Sequence, residues 1–184
     1  MGRIPLTAKT NEPLSDDLVQ AAKDGDEEAL SLLIERSQKR LYRFCLYLTG
    51  NPSLSEDLCQ DTYVKVLEKL KSLRKAGDFQ GWLYRTAKNL YIDQWRRAKR
   101  HEPLPLDSVE EHRGTPAERM PDLVLEIRAA LAFLDLENQV LLLLIDQQGH
   151  SYKEAAEILG LSEAAVTSRI HRVRRAFLEA YKKA

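Results

Sequence analysis

The chain is short of most features that mark a catalyst or a membrane protein. Of its 184 residues only two are cysteine, Cys45 and Cys59, and four are histidine, with no second cysteine pair and no metal-ligand spacing. Both thiols are read as small buried apolar residues rather than redox or metal groups. No apolar run approaches the roughly 20 residues that cross a bilayer. The first residues, M-G-R-I-P-L-T-A-K-T-N-E-P, lack the apolar core of a signal peptide, so a cytoplasmic protein without membrane insertion is expected. Net charge is also missing: Lys+Arg and Asp+Glu both number 28, so a charged partner can be inferred only from where the charges sit. Paired carboxylates, histidine clusters, a glycine-rich phosphate loop and a nucleophile elbow are absent, which makes an enzyme the poorest reading and implies no cofactor. No stretch alternates apolar and polar residues as a strand would, and an all-α fold is expected.

What is present begins with the stretch from Phe79 to Arg100. Wound as a helix at about 100° per residue, it separates into three stripes. Phe79, Leu83, Thr86, Ala87 and Leu90 need a core. Tyr84, Tyr91 and Trp95 line up beside them, and Arg85, Lys88, Arg96 and Lys99 with Asn89 cover the remainder. Cations that follow phosphates and flat rings that stack on bases are what an unpaired nucleic-acid strand requires, at roughly 1–3 kcal/mol per base stacked. The plainer reading is that the rings fill a core and the cations form a solvated face.

The rest of the chain divides around this helix. Met1 to Pro13 reads as a flexible lead-in. Ser15 caps a helix with Asp16 and Asp17 in its first turn, and D-G-D at Asp24 to Asp26 turns the chain. Ala29, Leu32, Leu33, Leu41, Phe44, Cys45 and Leu48 form the apolar stripe of a longer helix stopped by Gly50-Asn51-Pro52. Ser53 or Ser55 is expected to cap the next helix, whose Leu58, Cys59, Thr62, Val66 and Leu70 face inward and whose other side shows Glu56, Asp57, Gln60, Asp61 and Lys65. A short connector containing Gly77 leads into the basic helix.

After Arg100 the prolines Pro103, Pro105, Pro116 and Pro121 break any helical period. Residues 101–121 therefore read as an extended tether between two small helical domains, 14–100 and 122–184. In the second domain a helix starts near Asp122 with Val124, Ile127, Leu131 and Leu134. Leu136 to Gln147 is apolar almost all round and ends at Gly149. Ser151 and Glu154 form a capping box, Gly160-Leu161-Ser162 makes a tight turn, and a final helix runs from Glu163 to Tyr181. A helix pair with a glycine turn and small Ala155 and Ala156 fits a helix-turn-helix. Val166, Ile170, Val173 and Phe177 pack inward, leaving Thr167, Ser168, Arg169, His171, Arg172, Arg174 and Arg175 to meet base edges and phosphates.

In this order the segments S-E-D-L-C-Q-D-T-Y, W-L-Y-R-T-A-K-N-L-Y-I-D-Q-W-R-R and S-Y-K-E-A-A-E-I-L-G-L-S-E-A-A-V-T-S-R-I-H-R-V-R-R resemble the sigma-70 family of RNA polymerase sigma factors. Within it the chain resembles the extracytoplasmic-function (ECF) group, which keeps regions 2 and 4. The resemblance implies a factor that binds core RNA polymerase, recognises the −10 and −35 promoter elements and promotes melting. It places Asp57, Gln60 and Asp61 against the clamp helices of the β′ subunit. Ser72, Leu73 and Asn89 would pocket a base flipped from the −10 element, with Trp82, Tyr84 and Arg85 separating and holding the strands and Lys88, Arg96 and Arg97 beside them. Thr167, Ser168, Arg169 and Arg172 would read the −35 element with His171 and Arg175 alongside, while the outer face of the domain meets the β flap. Leu73 stands where many members carry an aromatic residue, Ala164 and Ala165 replace a common Gly-Thr, and Thr167 replaces a common basic residue. With no further domain expected after Ala184, the implied restraint is a separate anti-sigma protein. The competing reading is a stand-alone helix-turn-helix regulator that binds duplex DNA as a symmetric dimer.

Overall fold

The computed structural model describes residues 14–73, 78–101 and 122–183. Every regular element among them is helical, and most begin where the chain offers a cap. Helix α1 (Asp16–Asp24) starts at Ser15, whose hydroxyl accepts from the Leu18 amide, and ends at Gly25 with φ 100°. Asp26 accepts from the amides of Glu28 and Ala29 to open α2 (Glu27–Thr49). Helix α3 (Pro52–Lys69) opens earlier than the serines suggest: Asn51 accepts from the Leu54 amide, with Pro52 in the first turn. Proline has no amide to orphan there and its φ is already helical, so the signal that stops α2 also starts α3. Ser55 is instead buried, and its hydroxyl donates to the Asn51 carbonyl at 2.6 Å.

A single 3-10 turn, Leu70–Ser72, closes α3, and α4 runs Phe79–His101, taking in the first residue of the expected tether. Helices α5 (Asp122–Leu131), α6 (Leu136–Leu142), α7 (Tyr152–Leu159) and α8 (Glu163–Tyr181) complete the described chain. The apolar stretch expected as one helix from Leu136 to Gln147 widens into a π-helical turn over Leu143–Gln147 before Gly149. The Ser151–Glu154 capping box and the Ser162 cap of α8 form as expected. The expected lead-in, Gly77, the tether from Glu102 to Pro121 and the side chains of Lys99 and Arg100 lie outside the described residues.

Helices α1 to α4 pack around Leu33, Leu41, Phe44, Leu58, Val66, Leu83 and Ala87. Helices α5 to α8 surround Leu131, Leu141, Leu144, Ile158, Val166 and Ile170, and the two sets share one continuous core. Both cysteines are buried within the first set. A hydrogen bond with Cys59 and then burial push the Cys45 thiol far above its ordinary range, so it stays protonated and unreactive.

The two halves meet along α4 and α7. Gly81 on α4 faces Ile158, where a Cβ would lie 3.4 Å from Ile158 Cγ1. Arg40 and Gln148 exchange bonds, Arg40 Nη2 donating to the Gln148 carbonyl at 2.8 Å and Gln148 Nε2 to the Arg40 carbonyl at 3.2 Å. From α5, Arg128 donates to the carbonyls of Tyr47 and Leu48 at 2.7 and 2.5 Å, filling the acceptor end of α2.

Candidate nucleic-acid interface

Helix α3 carries the first group of candidate side chains. Its inward positions are Ser55, Leu58, Cys59, Thr62 and Val66, so the 3.6-residue period turns Asp57, Gln60 and Asp61 outward, and all three are exposed. Neither carboxylate has an ion-pair partner among the described residues. Leu54 and Val64 lie exposed on the same side, and this mixture of carboxylate and apolar surface is suited to a protein partner.

Helix α4 sorts as its stripes predict on the core side, with Phe79, Leu83 and Ala87 buried. The aromatic stripe does not stay together. Trp95 is 44% exposed and Tyr91 half-buried, but Tyr84 is only 2% exposed. Its ring meets Phe44 edge-on at 5.0 Å and His150 at 5.2 Å, and its hydroxyl donates to Gln148 Oε1 at 2.5 Å. An open Tyr84 face is therefore corrected to a closed one, because the second half of the chain covers the surface that periodicity left outside. Arg85 is tied to the same neighbour, its Nε donating to the Ile158 carbonyl at 3.3 Å and its Nη2 to the Glu157 carbonyl.

Further along α4 the surface opens. Asn89, Arg96 and Arg97 are exposed, while Trp82 and Lys88 are half-buried. Burial and then the nearby Arg85 hold the Lys88 ammonium below its ordinary pKa, with Glu137 opposing. Ser72 is exposed, with its hydroxyl donating to the Lys69 carbonyl at 2.6 Å. Leu73 is half-buried and its carbonyl accepts from Lys23 Nζ at 2.6 Å.

In the helix-turn-helix of α7 and α8, Gly160 takes φ 71°, which a side chain would strain, and Ser162 caps α8. Thr167, Ser168, His171, Arg172 and Arg175 are exposed. Two arginines of the expected DNA-facing set are engaged by side chains within the fold. Arg169 donates to Asn138 Oδ1 at 2.6 Å and Glu137 Oε2 at 3.0 Å, and sits 3.6 Å from Asp135 Oδ1. Arg174 pairs with Asp146 at 2.6 Å, which raises its pKa still further. Both therefore hold α8 onto α6 and the π-helical turn.

Sequence reasoning passes over Arg40, Arg128, Gln148 and His150. Arg128 leaves a signal, a lone cation on the Val124, Leu131 stripe of α5; Gln148 and His150 leave none, since only the tertiary fold brings them to Tyr84. Burial, and secondarily Arg40, push the His150 imidazole below its ordinary range, while Glu154 opposes from 3.8 Å. Nε2 of this ring has no hydrogen-bond partner among the described residues. A depressed imidazole pKa means that the closed arrangement holds the ring neutral. The contribution of this neutral ring to stability is accordingly fully present above about pH 6.5 and is lost as pH falls toward the depressed value. Tyr84, Arg40 and Glu154 are the other ionisable groups facing the ring, and the Tyr84 phenol is pushed upward by burial, away from this window. The melting temperature should be lower at about pH 5.5 than at about pH 7.5, and an unchanged value would refute the linkage.

A helical bundle with an outward carboxylate face and a cationic helix, joined to a helix-turn-helix, defines a DNA-binding protein of the transcription apparatus. Residues 33–101 match Sigma-70 region 2 and residues 125–177 match Sigma-70, region 4. The chain is 35% identical over 167 residues to the ECF RNA polymerase sigma factor SigF of Caulobacter vibrioides, covering 88% of this chain and 90% of that protein. It is 34% identical over 174 residues to the ECF RNA polymerase sigma factor SigE of Mycolicibacterium smegmatis, covering 90% of this chain and 66% of that protein. The sigma factor RpoE in complex with the anti-sigma factor NepR from Bartonella quintana superposes with a TM-score of 0.66 at 28% identity, over 87% of this chain and 98% of that one. CnrH in complex with the cytosolic domain of CnrY gives 0.69 at 25%, over 90% and 96%. The chain belongs to the ECF group of sigma-70 RNA polymerase sigma factors.

Proposed function

We propose that this sigma factor docks on the β′ clamp helices of core RNA polymerase through Asp57, Gln60 and Asp61, reads the −10 element with α4 and reads the −35 element with α8. Residues 14–100 serve as region 2, 122–184 as region 4 and 101–121 as the tether between them. The protein performs no catalysis of its own and works in the cytoplasm, with promoter DNA and the β flap as further partners and an anti-sigma protein as its restraint. The observation that supports the reading best is the outward α3 face, where two carboxylates without ion pairs among the described residues stand beside exposed Leu54 and Val64. A charge-assisted hydrogen bond is worth about 1.5–3 kcal/mol, so Asp57→Ala with Asp61→Ala should weaken core-polymerase binding at least about tenfold without changing the melting temperature.

Melting draws on a second surface. A base taken from the stack costs a few kcal/mol, and a pocket built around Asn89, with Ser72 and Leu73 nearby, offsets that cost only at the right sequence. Asn89→Ala is expected to keep polymerase docking and to cut permanganate reactivity of unpaired thymines about tenfold, the loss of one hydrogen-bonded base interaction of roughly 1–2 kcal/mol. Equal loss of docking and opening would count against this division of labour. The whole reading is tested by adding the protein to core polymerase and a promoter library. Site-specific transcripts support it, whereas unchanged initiation with a footprint on duplex DNA by the protein alone favours the stand-alone regulator.

A further inference from the structure

One contact in the first half of the chain is explained by neither core packing nor capping. Lys23 sits half-buried in the last turn of α1, and its Nζ donates to the Leu73 carbonyl at 2.6 Å. A last-turn lysine ordinarily serves the open carbonyls of its own helix. Here that task is done without it: the Gly25 amide donates to the Ala21 and Ala22 carbonyls, and the Asp26 amide donates to Ala21 at 3.1 Å. Buried Val19 and Ala22 fasten α1 to the core. The lysine is therefore free to act elsewhere on the fold.

Leu73 is where the chain leaves helical geometry. Its φ of −62° and ψ of 127° turn the carbonyl out of the 3-10 turn. The Leu73 amide donates to the Leu70 carbonyl at 3.1 Å, and Leu70 is itself buried. Lys23 holds the other polar group of the same residue, through a charged donor, which makes a bond about twice as strong as a neutral one. Because the peptide unit is planar, fixing that carbonyl also fixes the direction in which the Ser72–Leu73 pair is presented. Leu73 offers no flat face to stack on a base, so what it contributes depends on where the backbone places it.

We propose that Lys23 is a positioning residue for base selection: by holding the Leu73 carbonyl, it sets the orientation of Ser72 and Leu73 in the pocket that takes a base flipped from the −10 element. This rests on the reading of Ser72, Leu73 and Asn89 as that pocket, and adds to it a specificity role for a residue of α1. Lys23 touches no base. It acts through a backbone group, so its loss should blur the choice of base at one position rather than weaken the grip on the whole strand.

The full-length protein assembled with core polymerase is tested by fluorescence anisotropy against a single-stranded −10 oligonucleotide from a promoter it transcribes, and against single-base substitutions at each position. Lys23→Met keeps the stem and removes the donor. It should relax the preference at one position by about fivefold or more, with the other positions within about twofold of the parent, since a slightly misplaced contact loses selectivity where it acts. Asn89→Ala should relax the same position, and the double variant should go no further than about twofold beyond it, because two residues serving one pocket are not additive. Lys23→Arg restores a charged donor and should return the preference to within about twofold of the parent. An unchanged preference in Lys23→Met beside a relaxed one in Asn89→Ala overturns the positioning role. So does an equal loss of affinity for every oligonucleotide, which is what a purely structural lysine would give. If Lys23→Met loses its helical far-UV spectrum, Lys23→Gln, whose donor sits one bond closer to the backbone, takes its place and is judged by the same outcomes. A parent that prefers no base at any position would instead sink the pocket reading, and this assignment with it.

Discussion

Phe44→Ala is expected to lower stability by about 3–5 kcal/mol, the usual cost of removing a large aromatic side chain from a closed core. Phe44 is fully buried, and its ring sits edge-on to Tyr84 at 5.0 Å with a 65° interplanar angle. Its removal thus leaves a cavity in the α2–α4 core and also withdraws one of the two rings that hold Tyr84. For a chain of this length the shift corresponds to roughly 6–20 °C in melting temperature, readable by far-UV circular dichroism. Phe44→Leu retains most of the volume and should lose much less. A shift below about 3 °C for the alanine variant would mean that the site collapses around the void, contrary to the packing described.

The second large effect concerns α8, where four arginines look alike in sequence and differ in structure. Arg172 and Arg175 are exposed and have no partner among the described residues, whereas Arg169 and Arg174 are held by carboxylates. Arg172→Ala with Arg175→Ala should weaken binding to −35 duplex at least about thirtyfold, and the slope of log affinity against log salt should fall by about one for each phosphate no longer neutralised. Arg169→Ala should leave that slope unchanged. Its ion pairs are partly exposed, so the variant should instead lose about 1 kcal/mol or less of stability. Fluorescence anisotropy across a salt series separates the two cases, and an equal loss of slope in both would show that Arg169 leaves its carboxylates to bind DNA.

These arginines also show where the sequence is legible and where it is not. Caps act within one turn, so Ser15, the Ser151–Glu154 box and Ser162 can be read directly from the chain, whereas Asp26, read there as part of a turn, caps α2. The start of α3 is harder to place, because Asn51 reads as part of a stop signal while it also opens the next helix. Core stripes at Leu83 and Ala87 or at Val166 and Ile170 follow from periodicity, and they form. Periodicity describes a helix with one covered side, however, and α4 has two, one against α2 and α3 and the other against α7. Tyr84 lies between Phe44 of α2 and the Gln148–His150 turn of the second half, so no window on its own helix could bury it. The carboxylates that hold Arg169 and Arg174 belong to α6, its cap and the π-helical turn, well outside any local pattern. The outward turn of Asp57, Gln60 and Asp61 is legible because their side of α3 stays uncovered.

Gly50 ends α2 with φ 66°, and a Cβ there would collide with the guanidinium of Arg128. The two positions, one in each half of the chain, are therefore bound by a constraint that runs from residue 50 to residue 128. A chain that replaces Gly50 must shorten or redirect residue 128, and one that loses the arginine leaves the Tyr47 and Leu48 carbonyls to be satisfied by water. A substitution at Gly50 should therefore be accompanied by one at Arg128, and either one taken singly should loosen the seam between the halves.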